Sequence, residues 1–154
     1  MPSWVPLSAT PEKGIMNIYL IGSLRNPRVP HIANELRQGG FTVFDDWFAA
    51  GAKADEEWQA YEQGRGHTLA TALLGFAANH VFEFDREHLE RADIVVLVMP
   101  CGKSGHLELG VALGQGKRGY ILLDREPERF DVMYKFAHGV FSTTTDLLRA
   151  IKTS

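Results

Sequence analysis

The sequence predicts a doubly wound α/β fold: a mostly parallel sheet of four or five strands with helices on both faces, of the flavodoxin or Rossmann-like kind. Three observations lead there. Short apolar runs alternate along the chain with longer segments of helical character, the pattern of repeated β–α units. The run from Ile94 to Met99 is apolar throughout, as expected of a strand covered on both faces. The first and central runs each give way to a short glycine-containing turn and then a helix start, and such edges are where open α/β sheets keep their ligands.

The elements follow in order. The first fourteen residues, with Pro2, Pro6 and Pro11, read as an irregular leader, and 15–154 as one domain. Ile15 to Ile21 is the first strand, stopped by Gly22. Asn26 and Pro27 suit the cap and first turn of a helix that runs to Gln38 and ends at Gly39-Gly40. Phe41 to Phe44 is the second strand. Phe48 to Gly66 is polar and glycine-containing, and reads as a mobile loop with a helical turn at Glu56 to Gln63. Thr68 to Ala78 and Phe82 to Arg91 read as helical, with a break at Asn79-His80. Ile94 to Met99 is the central strand and His106 to Gly116 the next helix. Tyr120 to Leu123 is a fourth strand, Val140 and Phe141 begin a short fifth, and Thr145 to Ile151 closes the chain as a helix.

Composition narrows the function. A net charge of -3 and a pI of about 6.1 argue against a nucleic-acid polymer as partner. The single cysteine, Cys101, rules out an internal disulfide and a multi-cysteine metal site. None of the six histidines forms a His-x-x-x-His pair, so no metal is implied. No apolar stretch reaches the length of a membrane span and no signal-peptide pattern opens the chain. The expectation is a cytoplasmic protein without a cofactor.

Three segments carry chemistry. In the first, the central strand ends at Pro100, a loop follows, and Glu108 lies in the early turns of the next helix. The helix N-terminus offers free N–H groups and partial positive charge, so Glu108 is expected to be ionised at neutral pH. Such a carboxylate serves either as a nucleophile beside the crevice or merely as a complement to the helix dipole. Gly102-Lys103-Ser104 resembles part of a phosphate loop, but Leu97 stands where that motif has its first glycine. Ser104 suits a helix cap. In the second segment, Tyr19 to Arg25, Gly22 lets a ligand approach the backbone. Ser23 and Arg25 then suit a phosphate or carboxylate at a helix start, or form an ordinary turn with a solvated arginine. In the third, Asp85 shares a helix side with Leu89 and Ala92, which is unusual for a solvated acid. No GxGxxG loop follows the first strand.

Together these segments resemble the nucleoside 2-deoxyribosyltransferase superfamily, which includes the 2-deoxynucleoside 5′-monophosphate N-hydrolases. The residues that carry the likeness are Tyr19 and Gly22, then Asp85 ahead of Ala92-Asp93, then Glu108, Gly110, Ala112, Gly116 and Lys117. The resemblance implies cleavage of an N-glycosidic bond. Glu108 would attack the anomeric carbon, Tyr19 would orient it, and Asp85 would hold sugar hydroxyls or help protonate the leaving base. Ser23 and Arg25 match 5′-phosphate positions of the hydrolase branch, with Gly102, Lys103 and Ser104 as neighbouring binding candidates. The resemblance further implies a homodimer or larger homo-oligomer with sites completed across subunits. The preferred substrate is a 2-deoxynucleoside 5′-monophosphate. A base-exchanging transferase and a nucleotide sensor without turnover are the alternatives. Gly102 stands where transferases often carry a base-reading acid, and the ending Ile151 to Ser154 lacks their aromatic terminus. A looser likeness links Pro100 to Glu108 with the cytokinin-activating phosphoribohydrolases, broken by Cys101, Ser104 and Gly105.

The chain also has more large apolar residues than its sheet can cover. Trp47, Trp58, Leu73, Leu74, Phe76 and Phe82 lie outside the expected strands, and Leu73 to Phe82 is the candidate contact surface.

Overall fold

The computed structural model describes residues 15–154; the leader lies outside them. Among the described residues five strands form one wholly parallel sheet: β1 (Asn17–Ile21), β2 (Thr42–Phe44), β3 (Ile94–Val98), β4 (Arg118–Leu122) and β5 (Gly139–Phe141). Their order is β2-β1-β3-β4-β5, the flavodoxin-like order, whose switch point lies between β1 and β3. In the register, Tyr19 stands beside Val95 and Ile21 beside Leu97.

Strand alternation divides the core between two faces. Ile18 and Leu20 of β1, Ile94, Val96 and Val98 of β3, and Tyr120 and Leu122 of β4 face one layer. Two helices cover it, α1 (Arg28–Gln38) through Val29, Ile32, Ala33 and Leu36, and α6 (Thr144–Thr153) through Leu147 and Ile151. Tyr19, Ile21, Val95, Leu97 and Ile121 face the other layer, beneath α4 (Phe76–Arg91) and α5 (Lys103–Gly114). Lys117 Nζ donates to the carbonyls of Glu90 and Ala92 at 2.9 and 2.6 Å, placing a cation at the C-terminal end of α4.

The polar stretch after β2 is not a mobile loop. It forms a 3-10 turn (Asp46–Ala50) and an eleven-residue helix, α2 (Ala54–Gly64). Its one buried residue is Glu62, so it carries no apolar stripe by which to be recognised. Next comes the short helix α3 (Leu69–Ala72), closed by a Thr68–Thr71 capping box. The chain breaks at Leu73–Gly75 and not at Asn79-His80, which lie inside an unbroken α4. Helix α5 starts earlier than expected. Gly102 occupies its N-cap position and Ser104 lies inside the helix without capping it.

Trp47 joins the core: its indole N–H donates to the Leu20 carbonyl at 2.8 Å. The surface from Leu73 to Phe82 stays open, with Leu74 80% and Phe76 94% exposed.

Candidate active site

The site lies on the α4–α5 face, at the C-terminal ends of β1 and β3. Strand β1 points Tyr19 into this layer and buries it almost completely. Helix α5 crosses the strand ends close by, since a Cβ on Gly105 would collide with Cys101 Sγ and meet Ile21 Cγ2 at 3.0 Å. That close approach needs a glycine and brings Glu108, one turn further on, to the tyrosine. The Tyr19 hydroxyl donates to Glu108 Oε2 at 2.6 Å. Asp85, half-buried on α4, is near enough to act electrostatically on both.

Burial sets the charges. It pushes the Glu108 carboxyl up to about 7; the Tyr19 hydrogen bond pulls the other way, and Asp85 adds to the rise. The expected full ionisation is therefore corrected. Glu108 is the sixth residue of α5, beyond the first turn where the helix dipole acts, so desolvation prevails. Burial also raises Asp85, against the opposing influence of His88. Tyr19 is raised by burial first and then by Glu108 and Asp85, which keeps it a protonated donor. Two neighbouring carboxyls of unequal environment are the usual basis for separate acid and nucleophile roles.

The other candidates are arranged more loosely. Gly22 ends β1, but a Cβ there would meet Val29 Cγ2 at 2.9 Å and Trp47 Cη2 at 3.4 Å. Internal packing, and not a ligand alone, calls for the glycine. Ser23 Oγ accepts the Arg25 backbone N–H at 3.1 Å. The Arg25 guanidinium is exposed and pairs with Glu56 of α2. Gly102, Lys103 and Ser104 are exposed on the first turn of α5. Among the described residues, no hydrogen bond or ion pair joins Lys103 to Ser23 or Arg25. The residues thus form a hydrogen-bonded pair, Tyr19 and Glu108, with Asp85 within electrostatic reach, and a dispersed polar rim.

Sequence reasoning missed two neighbours, His88 and Tyr134, while Cys101 as a loop residue without nucleophilic character and His106 as a partly buried polar side chain were readable. His88 lies one turn beyond Asp85 and stacks on Phe44 with ring centroids 4.0 Å apart; its i+3 spacing from Asp85 was a readable signal. The Cys101 thiol is raised by burial and by Glu108, which makes it a poor nucleophile. His106 is half-buried: its Nδ1 donates to the Gly102 carbonyl at 2.8 Å, and its Nε2 lies 2.9 Å from the Tyr134 hydroxyl. This pair ties the β4–β5 connection to α5, and nothing in the sequence around Tyr134 marks it. Among the described residues no cluster of His, Cys, Asp and Glu could hold a metal ion, and no helix is long and apolar enough to cross a membrane.

No protein-family model and no curated protein sequence matches the chain. Solved structures do. The 2-deoxyribosyltransferase of Bacillus psychrosaccharolyticus superposes with a TM-score of 0.58 at 21% identity, over 86% of this chain and 90% of that one. The CMP N-glycosidase BcmB of Clostridium botulinum gives 0.54 at 14% identity, over 88% and 98%. The chain has their fold. At such identities the likeness concerns the backbone and leaves the chemistry to be argued from side chains.

Proposed function

We propose that this protein cleaves the N-glycosidic bond of a 2-deoxynucleoside 5′-monophosphate, with Glu108 as the catalytic carboxylate. The observation that carries the reading is the buried Tyr19–Glu108 hydrogen bond at the switch point of the sheet, with Asp85 beside it. Breaking an N-glycosidic bond develops positive charge at the anomeric carbon. A carboxylate held there by a single donor stabilises that charge and can bond to the carbon. Glu108 acts in its ionised form. Asp85, shifted toward its neutral form, holds sugar hydroxyls or delivers a proton to the departing base. Two enzymes of the same fold, a 2-deoxyribosyltransferase and a CMP N-glycosidase, support this class of reaction.

Ser23 and Arg25 are proposed to bind the 5′-phosphate, with Gly102, Lys103 and Ser104 on the opposite rim. The Arg25–Glu56 pair is exposed, and exposed ion pairs are weak, so a dianionic phosphate displaces Glu56 from the guanidinium. Base exchange is the second reading, and binding without turnover the third. Incubation with nucleosides and their monophosphates, with and without an acceptor base, separates them by product: free base, exchanged base, or none. Arg25→Ala is expected to weaken monophosphate binding by about 1.5–3 kcal/mol, the worth of a hydrogen bond to a charged group, and to spare nucleosides. Equal losses on both would make Arg25 structural and remove the phosphate assignment.

We further propose a homodimer or larger assembly of this chain. Leu73, Leu74, Phe76, Val81 and Phe82 are all more than half exposed on α4 and the turn before it, a larger apolar patch than monomers usually leave open. Sedimentation at micromolar concentration is expected to show dimers or multiples of them; a fully active monomer would remove both the interface and the shared site.

A further inference from the structure

We infer that the cleft between α2, α3 and the start of α5 is the pocket for the departing base, with Glu62 and Trp58 reading an edge that carries an oxo group beside two N–H donors, as in a 2-amino-6-oxopurine. The choice of ligand rests on the N-glycosidase reading above; the observations of the cleft do not.

The cleft measures about 410 Å³ and is lined by Trp58, Glu62 and His67 together with Ser104. Ser104 and Glu108 are four residues apart on α5, so they share a helix face with Cβ atoms about 5–6 Å apart. The cleft therefore opens one helical turn outward from the carboxylate proposed to meet the sugar.

Two of its groups are paired poorly for their burial. Glu62 is 3% exposed, yet its carboxylate has only Arg65 Nη1 at 3.4 Å and His67 Nδ1 at 3.3 Å. Both partners belong to the turn that follows α2. That turn is already closed by backbone bonds from the Arg65 and His67 N–H groups to the Glu62 carbonyl, so the carboxylate is not needed to form it. Trp58, one turn earlier on α2, has a buried indole N–H with no acceptor, the one such side-chain group among the described residues. A buried carboxylate held by long contacts and an orphaned donor are both costly to a folded protein. They sit on one helix face at i and i+4, against the same cleft. A carboxylate takes two parallel N–H bonds well, and the indole N–H lacks one acceptor. The complementary ligand edge is two adjacent N–H donors beside a carbonyl oxygen.

The test is titration of the full chain with guanosine, inosine and adenosine, followed by tryptophan fluorescence and calorimetry. Guanosine and inosine differ only in the 2-amino group. Guanosine is expected to bind at least about tenfold tighter than inosine, the worth of one charge-assisted bond, and adenosine weakest. Glu62→Gln should bring guanosine down to the inosine level. Trp58→Phe should weaken guanosine and inosine about fivefold and leave adenosine unchanged, and it carries the test should Glu62→Gln fail to fold. Equal binding of guanosine and inosine, a guanosine preference over inosine that survives Glu62→Gln, or a Trp58→Phe variant that binds guanosine and inosine as well as the parent overturns the pocket. Failure of the N-glycosidase reading looks different: no base is released from any substrate, while the Glu62-dependent preference for guanosine remains.

Discussion

Two buried tyrosines, one on each face of the same sheet, are held by opposite kinds of partner. Tyr120, beneath α1 and α6, accepts from Arg118 Nη2 at 3.0 Å and Nε at 3.2 Å. The same guanidinium donates to the Ile151 carbonyl at 2.7 Å and so fastens the last helix. Tyr19, beneath α4 and α5, donates to a carboxylate that burial has made reluctant to ionise. The first arrangement satisfies every group with a cation to spare and favours stability. The second sets a phenol and two acids within electrostatic reach of one another, with no arginine bonded to them among the described residues, an unfavourable combination that suits the catalytic role proposed for it. Strand alternation alone decides which residue goes where.

The contrast can be broken most severely at Glu108. Glu108→Gln keeps the shape and the Tyr19 hydrogen bond but removes the charge. Turnover is expected to fall about a thousandfold or more with substrate binding largely retained; near-normal turnover would end the assignment.

The same carboxyl has a stability signature. Between the ordinary carboxylate range and about 7, the folded chain holds a proton that the unfolded chain has released. Stability therefore falls as pH rises through this window and is lowest above it, by about 3 kcal/mol. Activity should rise through the same window as Glu108 ionises. Thermal melts of Glu108→Gln against the parent should thus show an advantage that is small near pH 5 and grows toward pH 8. A constant difference would mean that Glu108 is not buried as described.

A milder change separates the two faces directly. Tyr19→Phe removes the one donor that favours the ionised carboxylate. The midpoint of the rate profile should move to higher pH, and turnover at neutral pH should drop roughly 10- to 100-fold, as expected for loss of a hydrogen bond to a charged group. Tyr120→Phe should cost about 1–2 kcal/mol of stability and leave turnover unchanged. Equal effects on turnover would erase the distinction between the faces.

Much of this was legible in the residues. The apolar run at Ile94–Val98 and the small-residue helix after it placed Glu108, and the spacing of Asp85, Leu89 and Ala92 placed Asp85 on the inner side of α4. What could not be read was physical in origin. Helix α2 buries an acid in place of an apolar stripe, so no 3.6-residue pattern betrays it. The ionisation of Glu108 depends on how deeply Tyr19 and its neighbours enclose it, a property of packing. The Arg25–Glu56 pair and the Tyr134–His106 contact join residues 31 and 28 positions apart through loops, which no local pattern encodes.

Gly105 divides the site into a wall that cannot vary and a wall that can. Any side chain there would meet Cys101 Sγ and crowd Ile21 and Leu97, so it needs these side chains, or α5 itself, to shift at the ends of β1 and β3. Diversification of this scaffold is therefore closed along the sheet-side wall. If Glu108 acts as proposed, new specificity falls to α2 and α3, which have few contacts with the sheet that holds the carboxylate in place.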